Sequence, residues 1–127
     1  MELIKGIRQV IGDKSLFALR LGGCDYTVGG TTIEDAVWAC RRFEEAGVDL
    51  LDISGGTCCY ARKGHNYPGY FGDISEAVKK EVHIPVLLTG GVRTVQDAEI
   101  LLKEEKADMI GVGRIITAKP DWGMELI

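Results

Sequence analysis

Two glycine-containing turns and two arginines are the residues of this sequence best suited to chemistry. Gly90-Gly91 follows the apolar run Ile84-Pro85-Val86-Leu87-Leu88-Thr89, and Gly113-Arg114 closes a second run, Met109-Ile110-Gly111-Val112-Gly113. A phosphate is held by backbone N–H groups that converge on it. Side chains must stay clear, and the backbone adopts dihedrals that glycine permits. Helices that start behind such turns add partial positive charge. Arg114 adds a permanent cation with forked donors. Either glycine pair alone also reads as a tight strand-to-helix turn. Both together, with an arginine directly after Gly113, point to an anion. Arg20 sits late in the apolar run Ser15-Leu16-Phe17-Ala18-Leu19-Arg20-Leu21, where an uncompensated charge is expensive. Its partner is either a bound anion or electron-rich ring, or an acid such as Asp49 or Asp52.

These residues need elements that bring them to one place. The runs around Phe17, Val86 and Ile110, and the further run Val48-Asp49-Leu50-Leu51-Asp52-Ile53-Ser54, are mostly apolar rather than alternating. Parallel strands covered on both faces read this way. Pro85 stands at a strand entry, where its missing N–H does least harm. Between the strands lie helix starts. Thr32-Ile33-Glu34-Asp35 and Thr94-Val95-Gln96-Asp97 put a capping hydroxyl three residues before an acid, and Asp73-Ile74-Ser75-Glu76 predicts an acidic cap. Ala36, Ala39, Cys40, Phe43 and Ala46 make one apolar helical face, which Gly47 ends. A first helix is expected over Glu2 to Val10, closed by Gly12. The stretch from Gly29 to Ala36 is echoed from Gly90 to Ala98, and each copy leads to an Asp (Asp49, Asp108) that opens an apolar strand. One βα unit is reused.

Strands alternating with helices imply right-handed crossovers and a parallel sheet. The chain of 127 residues suits a single domain spanning 1–127, with four βα units. A complete (β/α)8 barrel has eight units in about 250 residues, so the expected fold is α/β, half of a TIM barrel. In such sheets ligands bind at the C-terminal ends of the strands, which is where all the glycine turns fall.

Composition narrows the class of function. A net charge of −4 without a Lys or Arg run argues against nucleic acid or anionic membranes as main partners. No apolar stretch reaches the ~18 residues of a spanning helix, and Met1-Glu2-Leu3-Ile4-Lys5 lacks the form of a signal peptide. The expected location is cytoplasmic. Cys24, Cys40, Cys58 and Cys59 match no metal or cluster spacing and are read as reduced thiols.

The segment Pro85 to Thr94, with Asp97-Ala98-Glu99, Ala107 to Arg114 and Pro120-Asp121-Trp122, resembles the last two βα units of the Old Yellow Enzyme family of NADH:flavin oxidoreductases. Gly47 to Gly56 is similar to that family's sixth strand and Leu19-Arg20-Leu21 to its fifth, so the resemblance implies strands 5 to 8. It also implies roles. Gly90, Gly91 and Gly113 would offer N–H groups to the phosphate of FMN, and Arg114 would pair with it. Arg20 would lie against the N1/C2-carbonyl edge of the flavin, where a cation stabilises negative charge on the reduced ring. NADH or NADPH would be the reductant and an α,β-unsaturated carbonyl compound the acceptor. Departures are equally clear. The family's first four strands have no counterpart here. They carry the paired His/His or His/Asn that grips the substrate carbonyl and the usual Tyr proton donor. Neither His65 nor His83 falls where that pair would be, so no catalytic residue is assigned. His83 reads as a surface residue. His65, Tyr60, Tyr67 and Tyr70 lie in a long loop that could reach the rim of a site.

Three functions remain open from the sequence: the FMN-binding portion of an ene-reductase, inactive by itself; a non-catalytic FMN- or phosphate-binding half-barrel; and a fragment of a sugar-phosphate barrel enzyme, for which Asp52 is the one carboxylate well inside a strand. A half-barrel also has two bare edges and an inner face that helices do not cover. A homodimer, or association with a complementary N-terminal half, is expected. The competing outcome is a monomer whose loop from Thr57 to Phe71 folds over the inner face.

Overall fold

The computed structural model describes residues 1–57 and 61–126; Cys58, Cys59 and Tyr60 lie outside the described residues. The chain runs α1 (Glu2–Ile11), β1 (Ala18–Gly22), α2 (Ile33–Glu45), β2 (Leu50–Ser54), α3 (Gly72–Lys79), β3 (Val86–Thr89), α4 (Val95–Lys103), β4 (Met109–Gly111) and α5 (Arg114–Ala118), and ends in a 3-10 turn (Trp122–Leu126). The four strands form one parallel sheet in sequence order. An α/β layer of four parallel strands with flanking helices is consistent with half of a (β/α)8 barrel.

Local chemistry explains the helix ends. Thr32 and Thr94 each accept from the backbone N–H three residues on, while Asp35 and Asp97 reach back to the cap, so both are full capping boxes. Gly12 (φ 66°) and Gly47 (φ 94°) end α1 and α2 in left-handed conformations that disfavour other residues. The expected Asp73 cap is not formed. The helix starts two residues earlier than that cap implies, at Gly72, and Phe71 at the cap position contributes no side-chain bond. Asp73 is drawn off by stronger partners: Oδ1 accepts from the Tyr26 hydroxyl at 2.8 Å and Oδ2 from Arg62 at 2.8 Å. As an acid in the first turn it still complements the helix dipole.

Alternation along the strands sorts the sheet into two faces. Leu51, Ile53, Val86 and Leu88 are fully buried under the helices, packed with Cys40, Phe71, Ile74 and Val78. The opposite, inner face carries Arg20, Leu50, Asp52, Leu87, Thr89 and Met109. Leu50 and Leu87 are only half buried and Met109 is exposed. That face is therefore mixed, with a charged pair among apolar residues. Of the apolar residues that could have lined it, Leu19, Ile53, Val86, Leu88 and Ile110 belong to the helix-covered side. The described end of the 57–71 loop does not lie across the inner face. Gly69 donates to the Gly90 carbonyl at 3.0 Å, and Phe71 is buried in the core cluster that the helices complete.

The reused unit has a physical signature at the N-terminal ends of the strands. The Asp49 amide donates to the Phe17 carbonyl (2.9 Å) while its carboxylate accepts from the Phe17 amide (2.8 Å). Asp108 does the same to Val86, at 2.8 and 2.9 Å. Each aspartate thus pins the start of its own strand to the start of the one before. Arg8 of α1 also reaches the Asp49 carboxylate and the Gly47 carbonyl, closing that end. This end of a parallel α/β layer is the one that serves stability. Asp108→Ala is expected to lower the unfolding free energy by about 1–2 kcal/mol, for one buried-edge amide left without its acceptor. Asp49→Ala should lower it further, because the more buried Arg8 loses its carboxylate and keeps only carbonyl acceptors, whereas the Lys79 paired with Asp108 is more exposed. Urea unfolding of both variants checks the order, and equal stability to the parent chain would refute the clip.

Candidate functional site

At the C-terminal ends of β3 and β4 lies a cleft of about 570 Å³, whose lining includes Ser54, Thr89, Gly90, Gly91, Gly113 and Arg114. Four of the five residues singled out from the sequence meet there. Arg20 does not line it. It stands on the inner face of the edge strand β1, with Asp52 as its register partner on β2. Its guanidinium meets Asp52 Oδ2 through Nε at 2.7 Å and Nη2 at 2.5 Å. Asp49, the other acid considered for it, is at the far end of the strand with Arg8. The second oxygen of Asp52 accepts from the Thr89 hydroxyl at 2.8 Å, and Thr89 does line the cleft.

The glycines of the cleft differ in what they permit. Gly91 has φ 73°, and a Cβ there would lie 2.3 Å from the Tyr70 ring. A Cβ on Gly90 would lie 2.6 Å from Phe71. These two glycines let the turn rest directly on a pair of edge-to-face aromatic rings, 4.7 Å apart. A side chain at Gly91 would therefore break that packing before it could intrude on a ligand. Gly113 is different: a Cβ there meets nothing within 4 Å. Packing does not demand glycine at 113, and a larger residue would fill the cleft.

Tyr70 was legible only as a loop residue near the rim. It is buried beneath the turn, and its hydroxyl accepts from Arg114 Nη2 at 3.2 Å. Trp122 is buried as well, and its indole N–H donates to the Arg93 carbonyl at 3.1 Å. The turn between β3 and α4 is held from below by Tyr70 and at its far end by Trp122. The partial positive charge expected from the start of α4 is offset, since Asp97 accepts from both Arg93 and Thr94 amides. The cations of the cleft are Arg93 and Arg114.

A second carboxylate organises the loops after β1 and β2. Asp25 accepts from the Thr31 amide at 2.8 Å and the Thr57 amide at 2.5 Å. Both threonines follow a Gly-Gly pair, Gly29-Gly30 and Gly55-Gly56. Any Cβ on Gly30 or Gly56 would collide with the Asp25 side chain. The repeated Gly-Gly-Thr is a sequence signal that could have located this knot. The two amides, Thr57 first and then Thr31, hold the Asp25 carboxyl down at about 2. Nearby, Tyr26 (φ 51°) stacks under the Arg62 guanidinium at 3.8 Å, and Asp73 joins both. Burial, then the bond to Asp73, pushes the Tyr26 phenol well above its ordinary range, so this tyrosine stays protonated.

The remaining candidates are peripheral. His83 is exposed before β3, and its backbone amide is bonded to Glu44. His65 is half buried, with Nδ1 3.1 Å from the Lys63 carbonyl and its ring against Tyr67. Cys24 and Cys40 are buried, and burial raises Cys40 to about 12, which makes it unreactive. A larger groove of about 920 Å³ runs between α2 and α3, but it is lined from the helices and not from strand ends. Among the described residues, no helix is long and apolar enough to cross a membrane.

Acid should loosen the fold. The Asp25 and Glu76 carboxyls both stand at about 2 in the folded chain, Glu76 through its bonds to Lys106 and then Lys80. Their contribution is complete above the ordinary carboxylate range near 4 and is lost as pH falls from there toward 2. Unfolding midpoints measured from pH 6 to pH 2 should fall mainly below pH 4, and less steeply in Asp25→Asn. The same slope in that variant would contradict the role given to Asp25.

Comparison with known proteins bears on this arrangement. A family model described as NADH:flavin oxidoreductase / NADH oxidase matches residues 1–126. An NADPH dehydrogenase of Geobacillus thermodenitrificans is 36% identical over 121 residues, covering 95% of this chain and 35% of that protein. An NADH oxidase of Thermoanaerobacter brockii is 30% identical over 126 residues, covering 96% of this chain and 19% of the relative. Among solved structures, a 2-naphthoyl-CoA reductase in complex with 2-naphthoyl-CoA superposes with a TM-score of 0.86 at 25% identity, over 98% of this chain and 20% of that one. The chain spans between 19% and 36% of the length of such curated relatives.

Proposed function

Because the chain belongs to the NADH:flavin oxidoreductase / NADH oxidase family, we propose that it is the FMN-binding portion of an NAD(P)H-dependent flavin oxidoreductase and supplies strands 5 to 8 of the barrel. Gly90, Gly91, Gly113 and Arg114 hold the phosphate, and Arg20 faces the N1/C2-carbonyl edge of the ring. The observation that carries this reading is the convergence of two glycine turns from adjacent strands on one cleft with Arg93 and Arg114. The open space at Gly113 supports it, since packing leaves that position unfilled. FMN, when bound, supplies hydride transfer from NADH or NADPH to an α,β-unsaturated carbonyl compound. The chain's own part is electrostatic and positional. Arg114, braced by Tyr70, neutralises the phosphate. Arg20 supplies positive charge where the reduced ring is negative.

Arg114→Ala and Gly113→Leu are expected to weaken FMN binding by about 1–3 kcal/mol, the range for losing charge-assisted bonds. The packing under the turn should be left intact, so thermal midpoints should change little. Gly91→Val should instead unfold the turn by driving a side chain into Tyr70. Fluorescence titration of FMN against the three variants separates these outcomes. Unchanged affinity in both Arg114→Ala and Gly113→Leu would end the phosphate assignment.

The groups that grip and protonate substrate are not among the residues of this site, so the chain alone should show little or no enone reduction. Its mixed inner face and the outer edges of β1 and β4, unpaired among the described residues, favour a homodimer or union with a complementary half-barrel. An NADH-oxidation assay with an enone, run beside sedimentation at micromolar concentration, tests both points. Turnover near ~10 per second, typical of complete enzymes, or a single 13.8 kDa species, would count against them.

A further inference from the structure

Asp52 belongs to none of the roles assigned above, yet it lies between two of them. Its Oδ2 takes the Arg20 guanidinium at 2.7 and 2.5 Å, and its Oδ1 takes the Thr89 hydroxyl at 2.8 Å. Arg20, Asp52 and Thr89 are each on the inner face of their own strand, β1, β2 and β3. The fourth strand makes room for them. Gly111 is the register partner of Thr89, and a Cβ on it would lie 2.1 Å from Thr89 Oγ1 and 2.8 Å from Leu87. Glycine at 111 is thus what lets the Thr89 hydroxyl sit where it can bond to Asp52. One polar chain crosses three of the four strands, from the edge strand that carries Arg20 to β3, whose end leads into the Gly90-Gly91 turn.

The exposures show which member needs holding. The Asp52 side chain is 17% exposed and the Arg20 side chain 62%. An arginine that exposed, on an edge strand, would sample many rotamers if nothing fixed it, and ordering it would cost binding energy. Asp52 is fixed from the other side by Thr89, so it can act as a bracket. The guanidinium has five N–H donors. The pair occupies Nε and Nη2 and leaves Nη1 to bond elsewhere.

We propose that Asp52 is a positioning residue that presents Arg20 to the flavin edge, and that Thr89 ties this bracket to the phosphate turn that follows it, so that one carboxylate sets the spacing between the two anchor points of the cofactor. The proposal rests on the reading that this cleft takes FMN. It makes a prediction opposite to simple charge counting. Removing a carboxylate beside Arg20 makes the site more positive, which should tighten binding of an anionic cofactor. Loss of the bracket should weaken it.

The test titrates FMN against the whole chain by flavin fluorescence, in the parent, Arg20→Ala, Asp52→Ala, the double variant and Thr89→Val. The expected result is that Arg20→Ala and Asp52→Ala each weaken binding about tenfold, the size of one charge-assisted hydrogen bond. The double variant should be no weaker than either single one, because Asp52 acts through Arg20. Thr89→Val, which keeps the shape and drops the hydroxyl, should give a smaller loss. Asp52→Asn, which keeps one neutral acceptor, should fall between parent and Asp52→Ala, and it carries the test if the alanine variant does not fold. Hydrogen exchange of the Arg20 Nε–H, followed by nitrogen-15 NMR on the ligand-free chain, should be slow in the parent and fast in both Asp52 variants. Tighter or unchanged binding in the Asp52 variants, losses that multiply in the double variant, or persistent Nε–H protection without the carboxylate would each overturn the proposal. If the parent fails to bind FMN, the flavin reading falls and the link to the cofactor with it. The exchange measurement then still decides whether Asp52 holds Arg20.

Discussion

A parallel ladder in which Leu51, Ile53, Val86 and Leu88 all turn toward the helices leaves the neighbouring residues no choice of side. Strand side chains alternate, so Arg20, Asp52 and Thr89 must project from the other face. A one-residue slip in β1 or β2 would turn Arg20 or Asp52 toward the helices and a leucine away from them. The burial that drives folding, roughly 1.5–3 kcal/mol for each such aliphatic side chain, is therefore also what aligns the polar chain. The aspartates at the strand starts fix the same register from the opposite end. Asp49 clips β2 to the residue just before β1, and Asp108 clips β4 to the start of β3. Stability and the candidate site are built at opposite ends of one set of strands, and the register connects them.

Much of this is legible in the sequence, for identifiable reasons. The strands were visible because parallel strands covered by helices are continuous apolar runs. The starts of α2 and α4 were visible because a hydroxyl and a carboxylate three residues apart can satisfy each other with no help from the rest of the chain. Gly12 and Gly47 worked as stop signals because their positive φ is a local demand. The sheet order followed from the alternation of strand and helix. Family membership rested on longer strings of residues, from Pro85 to Arg114, and the match of the family model to residues 1–126 bears it out.

What was not readable depended on contacts distant in sequence. Asp73 has the spacing of a cap, but Tyr26, 47 residues before it, and Arg62, 11 before it, compete for its oxygens. Arg20 had two acids within reach on paper. Only the register decides between them, because it sets Asp52 opposite Arg20 and sends Asp49 to the other end, where Arg8 occupies it. Gly90 and Gly91 looked like one more phosphate cradle, with nothing to say that Tyr70 and Phe71, twenty residues upstream, come up directly beneath them. The entries of β1, β2 and β3 lie two or three residues later than the apolar runs suggest, because apolar character extends into the connecting segments before the ladder begins.

The burial of Trp122 beneath the β3–α4 turn has an optical consequence. The chain holds two tryptophans. Trp38 is 62% exposed on α2 beside Arg42, whereas Trp122 is 5% exposed with its indole N–H on the Arg93 carbonyl. One indole is bathed in water and emits at long wavelength. The other is shielded and hydrogen-bonded to the backbone of the turn that borders the cleft, so it emits toward the blue. The blue component is a built-in reporter: its intensity follows the order of that turn, and a ligand that absorbs in the range of indole emission and sits in the cleft would drain it by energy transfer while leaving the red component of Trp38 less affected.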